Sequence, residues 1–379
     1  MKTNNISKNI VEKCSGCGLC ESVCPVNAIV VKEKDFFLRP EINDSCVDCG
    51  KCLACCPGHI EYKPVSYKDF YYRIYGHSNN CEVRKEAASG ALTTELLKYL
   101  LEYSIVDYVV TADVYKNNRD LGYIIVNRSD SDRLFDVSGS NYCPANIGKA
   151  ISWIKKNDGK YAIVCLPCLA RGINKLKEKD SVLEKRIKYV ITLMCNHVPS
   201  YEATDYLLKK YKVDNPKKIK YRGDGWFGNF RVFSDCGSTS HFFSIPFSEY
   251  YESKFSEYFW QNACVNCRDH FGITADICVG DADFVKYRNK SANQGETIIF
   301  SNNLQLVHLL SDMHEKRIIS TYNDIDEHEL EKIYGPLCSE NRAKTDCLKN
   351  GADRILKEEW HGSIISKFKY MLFRIKHIF

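Results

Sequence analysis

Nine of the twenty cysteines fall between Cys14 and Cys56, in two runs whose spacing suits iron–sulfur chemistry. The first reads Cys14-Ser-Gly-Cys17-Gly-Leu-Cys20-Glu-Ser-Val-Cys24-Pro25, and the second Cys46-Val-Asp-Cys49-Gly-Lys-Cys52-Leu-Ala-Cys55-Cys56-Pro57. Two residues between thiolates let one tight loop aim several sulfurs at a single [4Fe–4S] cubane, and a proline after the fourth cysteine turns the chain away. Glycines at 16, 18 and 50 suit loops whose backbone N–H groups reach inorganic sulfur and tune its potential. Zinc sites pair two C-x2–4-C units rather than two proline-terminated runs of four, and disulfide frameworks belong to secreted chains.

Both runs match C-x2-C-x2-C-x3-C-P and so resemble bacterial two-cluster ferredoxins, in which the fourth cysteine of each run binds the other cluster. That resemblance implies one cluster on Cys14, Cys17, Cys20 and Cys56, a second on Cys46, Cys49, Cys52 and Cys24, and Cys55 left over. It implies an α+β ferredoxin-like domain over residues 1–62, with Val26–Val31 as the short strand after the first run. His59 reads as a surface residue rather than a ligand.

These thiolates need a scaffold and a compartment that keeps them reduced. The N-terminal MKTNNISKNIVEK carries no apolar signal core, and no run of about 18 apolar residues marks a membrane span. A cysteine-rich chain of this kind is expected in the cytoplasm, where thiols serve metals or catalysis. The net charge of +5 includes no basic block interleaved with aromatics, which argues against a nucleic-acid partner.

Past residue 62 a Tyr- and Lys-rich stretch, EYKPVSYKDFYYRIYG, reads as a linker or docking strand. Alternating elements follow. Glu86–Glu102 has leucines at helical spacing, and 146–156 and Tyr201–Tyr211 are further helices. Residues 105–110, 123–126, 161–164 and 189–193 are apolar runs of strand length, and 215–250 is β-like around Phe230–Phe233. Strands alternating with helices predict an α/β domain over 63–350 with a mostly parallel sheet covered on both faces.

Four more cysteines form a second constellation: Cys168 in Cys165-Leu-Pro-Cys168, Cys195 after an apolar strand, and the pair Cys264 and Cys267. Two strand ends and one C-x2-C loop supply the four thiolates a third cluster needs. Plain core packing and a Cys165–Cys168 redox dithiol are the competing readings. Ser89-Gly90 precedes an apolar-faced helix whose N-terminus could receive a phosphate, with Thr93 and Thr94 as added donors; an ordinary Ser89 N-cap is the simpler reading. Asp276 and Asp281 flank an apolar run and could orient flavin or ribose groups, or merely end a strand. Arg222-Gly-Asp-Gly-Trp226 suits a loop closing on a ligand or a plain turn. His197 suits a proton donor or a structural residue. Cys81, Cys143, Cys236, Cys278, Cys338 and Cys347 have no ligand-like spacing and read as inert.

Residues 81 to about 290 resemble the coenzyme F420 hydrogenase/dehydrogenase beta-subunit family. The resemblance rests on an ordered set: Arg84–Leu97, Gly139-Ser-Asn-Tyr142, Leu166-Pro-Cys168 with Gly172, Cys195-Asn-His-Val-Pro-Ser200, Gly225-Trp226, Cys264-Val-Asn-Cys267 and Asp276-Ile-Cys-Val-Gly-Asp281. It implies a third [4Fe–4S] cluster on Cys168, Cys195, Cys264 and Cys267. It implies FAD, with Ser89, Gly90, Thr94, Asn141, Asp276 and Asp281 as candidate contacts, and a deazaflavin such as F420 as hydride partner. The chain departs from the family at Ala91 (usually Gly), Asn141 (usually Lys), Leu169 (usually Gln) and Asn196-His197 (usually His-Gly).

The end of the chain, from Ile364 to Phe379, spaces Ile364, Phe368, Met371, Leu372, Ile375 and Phe379 on one helical face and Lys367, Lys369, Arg374 and Lys376 opposite. A basic amphipathic helix over 351–379 could lie on an anionic membrane surface or dock on its own core. The function expected is a flavin-dependent iron–sulfur oxidoreductase relaying electrons between a hydride carrier at FAD and the ferredoxin-type clusters. The alternative is a non-catalytic electron-transfer protein feeding a partner enzyme. Candidate partners are a redox protein, a deazaflavin or nicotinamide donor, a membrane surface, and a second copy of the chain. No single residue stands out as the catalytic group.

Overall fold

The computed structural model describes residues 4–9, 13–116, 122–235, 241–252, 259–265, 267–282 and 294–339. The amphipathic 351–379 segment, Cys236 and Cys347 lie outside the described residues. The N-terminal part pairs β1 (Ile29–Lys34) with β2 (Phe37–Ile42) as an antiparallel hairpin. Two one-turn helices, Leu19–Ser22 and Lys51–Ala54, flank it. Each follows a glycine in the left-handed region, Gly18 (φ +81°) and Gly50 (φ +76°), so the two cysteine runs enter their helices through matched turns that an L side chain would strain.

The remaining strands are β3 (Tyr72–Ser78), β4 (Tyr108–Ala112), β5 (Tyr115–Lys116), β6 (Tyr123–Asn127), β7 (Tyr161–Cys165), β8 (Ile187–Leu193), β9 (Lys218–Lys220), β10 (Asn229–Phe233), β11 (Phe243–Pro246), β12 (Ile277–Asp281), β13 (Thr297–Ser301) and β14 (Ile319–Tyr322). Eight of them form one sheet in the order β14-β3-β13-β12-β8-β7-β4-β6, and a four-stranded sheet runs β11-β10-β9-β5. The sheet is mixed where sequence predicted it mostly parallel. Its centre β12-β8-β7-β4 is parallel, while the pairs β14-β3, β3-β13, β13-β12 and β4-β6 are antiparallel. The Tyr-rich stretch read as a linker or docking strand runs into β3, an interior strand of that sheet.

Strand periodicity sorts the core into two faces. Val109, Ala162, Val164, Tyr189 and Ile191 face the helices Leu92–Glu102 and Leu304–Glu315. Their neighbours Val110, Tyr161, Ile163, Cys165 and Val190 face the helices Gly148–Lys156 and Pro167–Lys177. Cys17, Leu19 and Cys55 belong to that second core, with Leu19 wholly buried. The segment carrying the two cysteine runs is therefore packed into the body of the fold.

The helix expected over Glu86–Glu102 is broken. Helices Cys81–Glu86 and Leu92–Glu102 are separated by residues 87–91. Ala91 sits at φ +66°, and a β-carbon on Gly90 would stand 2.4 Å from the Gly76 carbonyl oxygen and 2.6 Å from Thr297 N. Close packing on β3 and β13 thus outweighs the local helical pattern.

Candidate functional site

The cysteines form three open groups. In the first, burial pushes the Cys17 thiol well up, and nearby Cys20, Cys56 and Cys14 add to the rise. Charge on Cys56, from the second run, thus reaches Cys17 and Cys20 of the first. In the second group, Cys24, Cys46, Cys49 and Cys52 line one small cleft together with Asn5. Ala28 N donates to Cys24 Sγ at 3.2 Å, Gly16 N to Cys14 Sγ at 3.4 Å and Asn5 Nδ2 to Cys46 Sγ at 3.8 Å. Donors aimed at sulfur stabilise thiolate and raise cluster potential. Leftover Cys55 is buried in the second core and donates to the Cys52 carbonyl.

The third group opens on a cavity of ≈1590 Å³. It is lined by the carboxyl ends of the parallel strands: Thr111 and Ala112 of β4, Cys165 at the end of β7 with Leu166 after it, Leu193 at the end of β8 with Met194 and Cys195 after it, and Gly280 and Asp281 of β12. Open α/β sheets bind ligands at that edge. Cys168, Cys195, Cys264 and Cys267 all line the cavity. Cys168 opens the Pro167–Lys177 helix, where burial pushes its thiol to about 12 despite the opposing pull of Arg171. Val198 N donates to Cys264 Sγ at 3.4 Å and Tyr62 OH to Cys267 Sγ at 3.7 Å. Arg171 is buried, ion-paired with buried Asp269 and stacked over the Tyr62 ring at 3.7 Å.

Two buried donors beside this group, Arg171 Nε and Gln261 Nε2, have no hydrogen-bond partner among the described residues. A cluster presenting thiolate and sulfide acceptors would satisfy such groups, so the donor set fits one. Among the described residues no three His, Cys, Asp or Glu side chains close around a single ion.

Of the six candidate flavin contacts, Ser89, Thr94, Asn141 and Asp281 line the cavity. Gly90 and Asp276 do not. Gly90 is the close-packing glycine described above. Asp276 accepts from Val190 N and from Asn303 Nδ2, both at 2.7 Å, so it ties β8 and the Leu304–Glu315 helix to β12. Ser89 and Thr297 share a hydroxyl–hydroxyl bond of 2.8 Å. Asp281 accepts from Arg222 Nη1 at 2.8 Å. Asn141 Nδ2 donates to the Asp113 carbonyl at 2.8 Å.

Ala91, rather than the expected Ser89, caps the Leu92–Glu102 helix and supplies no side-chain bond. Ala91, Thr93 and Thr94 line the cavity, so an uncapped helix N-terminus opens there, the arrangement that receives phosphate. Ser89, Ser138 and Thr111 add hydroxyls to the same cavity lining, a polar set that suits the polar part of a dinucleotide. The volume exceeds the range of roughly 300–1,000 Å³ usual for one small ligand. His197 stacks on Trp260 at 4.2 Å along another wall.

Sequence reasoning missed Arg39, Tyr62, Arg171, Gln261 and Tyr123. Tyr123 lines the same cavity; burial raises its phenol, and charge on Cys165, Cys168, Cys17 and Cys195 adds to the rise. Arg171 and Gln261 each stand three residues from a cysteine of the third group, Cys168 and Cys264, a local signal that could have found them; Arg39, Tyr62 and Tyr123 have no such spacing.

Profiles of known families agree with this geometry. For the beta subunit of coenzyme F420 hydrogenase/dehydrogenase, the amino-terminal profile matches residues 73–152 and the carboxyl-terminal profile matches 158–327. The chain belongs to the coenzyme F420 hydrogenase/dehydrogenase beta-subunit family. A "4Fe-4S dicluster domain" matches residues 13–60, over both cysteine runs. Together these make it an iron–sulfur protein of an oxidoreductase family. The F polypeptide of the F(420)H(2) dehydrogenase of Methanosarcina mazei is 22% identical over 285 residues, 70% of this chain and 75% of the relative. The coenzyme F420-dependent sulfite reductase of Methanocaldococcus jannaschii is 26% identical over 289 residues; the match takes in 71% of this chain but 43% of that enzyme. A chain of the F420-reducing [NiFe] hydrogenase complex from Methanosarcina barkeri shares the fold, with a TM-score of 0.53 and 17% identity over 74% of this chain and 92% of that one. Among the described residues no helix is long and apolar enough to cross a membrane.

Proposed function

We propose that this chain is a flavin-dependent iron–sulfur oxidoreductase that relays electrons between a hydride carrier and ferredoxin-type clusters. The observation that carries the reading is one cavity with two kinds of wall: four cysteines on one side, and an uncapped helix N-terminus among hydroxyls on the other. When bound, FAD would exchange a hydride and the clusters would carry single electrons. The chain's own residues bind and orient. Thr93, Thr94 and the Leu92–Glu102 N-terminus would hold pyrophosphate, and Ser89 and Asp281 would position the remaining polar groups. Cys168, Cys195, Cys264 and Cys267 would hold the third cluster. Cys14, Cys17, Cys20 and Cys56 would hold the first, and Cys24, Cys46, Cys49 and Cys52 the second. The F420-linked relatives support a deazaflavin as hydride partner and a redox protein as the other. We assign the ferredoxin-type unit to residues 1–62 and the flavin and iron–sulfur unit to 63–350.

Anaerobic purification followed by iron, sulfide and flavin analysis tests this. About twelve irons per chain and released FAD are expected. A second reading, an electron-transfer protein without flavin, draws on Ala91 where the family has glycine and on the Asn141 amide already engaged by the Asp113 carbonyl. Colourless flavin fractions from a protein holding twelve irons would favour that reading, and about eight irons would remove the third cluster.

A further inference from the structure

Between the first and third cysteine groups stands one cation. Arg39, on β2 of the N-terminal hairpin, sends Nη1 to the Leu38 carbonyl at 2.9 Å, to the Cys14 carbonyl at 3.4 Å and to Gln261 Oε1 at 3.3 Å. Gln261 in turn begins the turn that carries the third group, its carbonyl accepting from Cys264 N at 2.9 Å. One guanidinium thus ties the loop of Cys14 to the loop of Cys264 across 222 residues of chain.

Among the described residues Arg39 makes no salt bridge, whereas Arg171 beside the third group is neutralised by Asp269. Arg39 therefore carries a positive charge with no carboxylate in contact among the described residues, and an arginine keeps its proton at any working pH. Adding one electron to a cluster makes it more negative, which a nearby fixed cation favours most where water is sparse.

Resting on the three-cluster reading above, we propose that Arg39 is the cationic bridge between the first and third clusters, raising the potential of both relative to the second. Each transfer moves one electron from one cubane to the other, with no proton gained or lost by the bridge. Arg39 is a positioning residue: it acts on the clusters through charge and through the two loops it joins.

The test uses the full chain, reconstituted anaerobically and titrated by electron paramagnetic resonance, with signals assigned by Cys17→Ser, Cys49→Ser and Cys264→Ser variants. In Arg39→Gln, reduction of the first and third clusters is expected to weaken about tenfold each, a negative shift of about 59 mV for one electron, while the second cluster keeps its potential. Arg39→Lys, which keeps the charge, is expected to hold both potentials near wild type, an outcome a merely structural tie would not produce. Unshifted potentials in Arg39→Gln, or an equal shift of all three, overturn the proposal. Two cluster signals instead of three in the wild-type chain would overturn the three-cluster reading itself.

Discussion

Gly172 leaves the space that Leu19 fills: a β-carbon there would stand 2.4 Å from Leu19 Cδ1 and 2.8 Å from the Cys55 carbonyl oxygen. This contact joins the first cysteine run to the helix that carries Cys168. Overpacking such a site costs about 1–3 kcal/mol. Gly172→Ala should lower the unfolding free energy by that amount in denaturant titration. Faster proteolytic release of the N-terminal segment should accompany it; unchanged stability would show that the two parts do not depend on this seam.

Arg171 and Asp269 are both buried, with side-chain exposures of 6% and 1%. Asp269 also accepts from Gly272 N at 2.6 Å. Breaking a buried pair strands a charge, at a cost of about 3–5 kcal/mol. Asp269→Asn should lose stability in that range and loosen the loop of Cys267. An Arg171→Met/Asp269→Asn double variant should recover part of the loss, measurable by chemical denaturation of all four proteins.

Ala91 occupies the left-handed region with φ +66°, where the family usually has glycine. An L residue there costs about 1–2 kcal/mol. Glycine would relieve that strain but adds about 0.5–1 kcal/mol of chain entropy and forfeits a buried methyl worth about 0.8 kcal/mol. These nearly cancel, so Ala91→Gly should change stability by less than about 0.5 kcal/mol. A β-branched side chain at this φ is a steric outlier, so Ala91→Val should cost more than about 1 kcal/mol by thermal unfolding.

Glu86 gives the acid limb of stability. Burial alone would raise its carboxyl, but hydrogen bonds and charge from Arg231, with help from Lys220, outweigh it and hold the group below its ordinary value. Arg231 donates to it at 3.0 and 3.2 Å. A carboxyl depressed on folding stabilises the native state above its unfolded pKa, and the contribution fades as pH falls through the folded value. Stability should therefore fall below the ordinary glutamate range near about 4.3. Glu86→Gln should be less stable at pH 7 and show a flatter acid limb in a series of unfolding curves.

Sequence made some of this legible and hid the rest for physical reasons. Ligand spacing is local, so the two cysteine runs could be read from the chain, whereas the crossing of their fourth cysteines rests on the resemblance to two-cluster ferredoxins. The strand runs at 161–164 and 189–193 were equally plain because both faces of β7 and β8 are buried. The break before Leu92 was hidden, because leucine periodicity says nothing about β3 and β13 pressing on Gly90. Asp276 was misread as a ligand contact because a polar strand end looks alike whether it faces a cavity or ties down a helix. Arg39 was invisible, since its meaning depends on Gln261, far along the chain.

The packing of Leu19 and Cys55 into the core of Ile151 and Ile173 has a consequence for biosynthesis. The cysteine runs leave the ribosome well before the helices that cover them have been made. At ordinary elongation rates that interval is on the order of ten seconds. During it the nascent thiols stand open to cluster-delivery factors, and once Pro167–Lys177 docks the door on Cys17 is shut. On the three-cluster proposal the first cluster would load most readily before that docking, and metal-starved chain should take up iron more slowly when folded than when refolded in its presence.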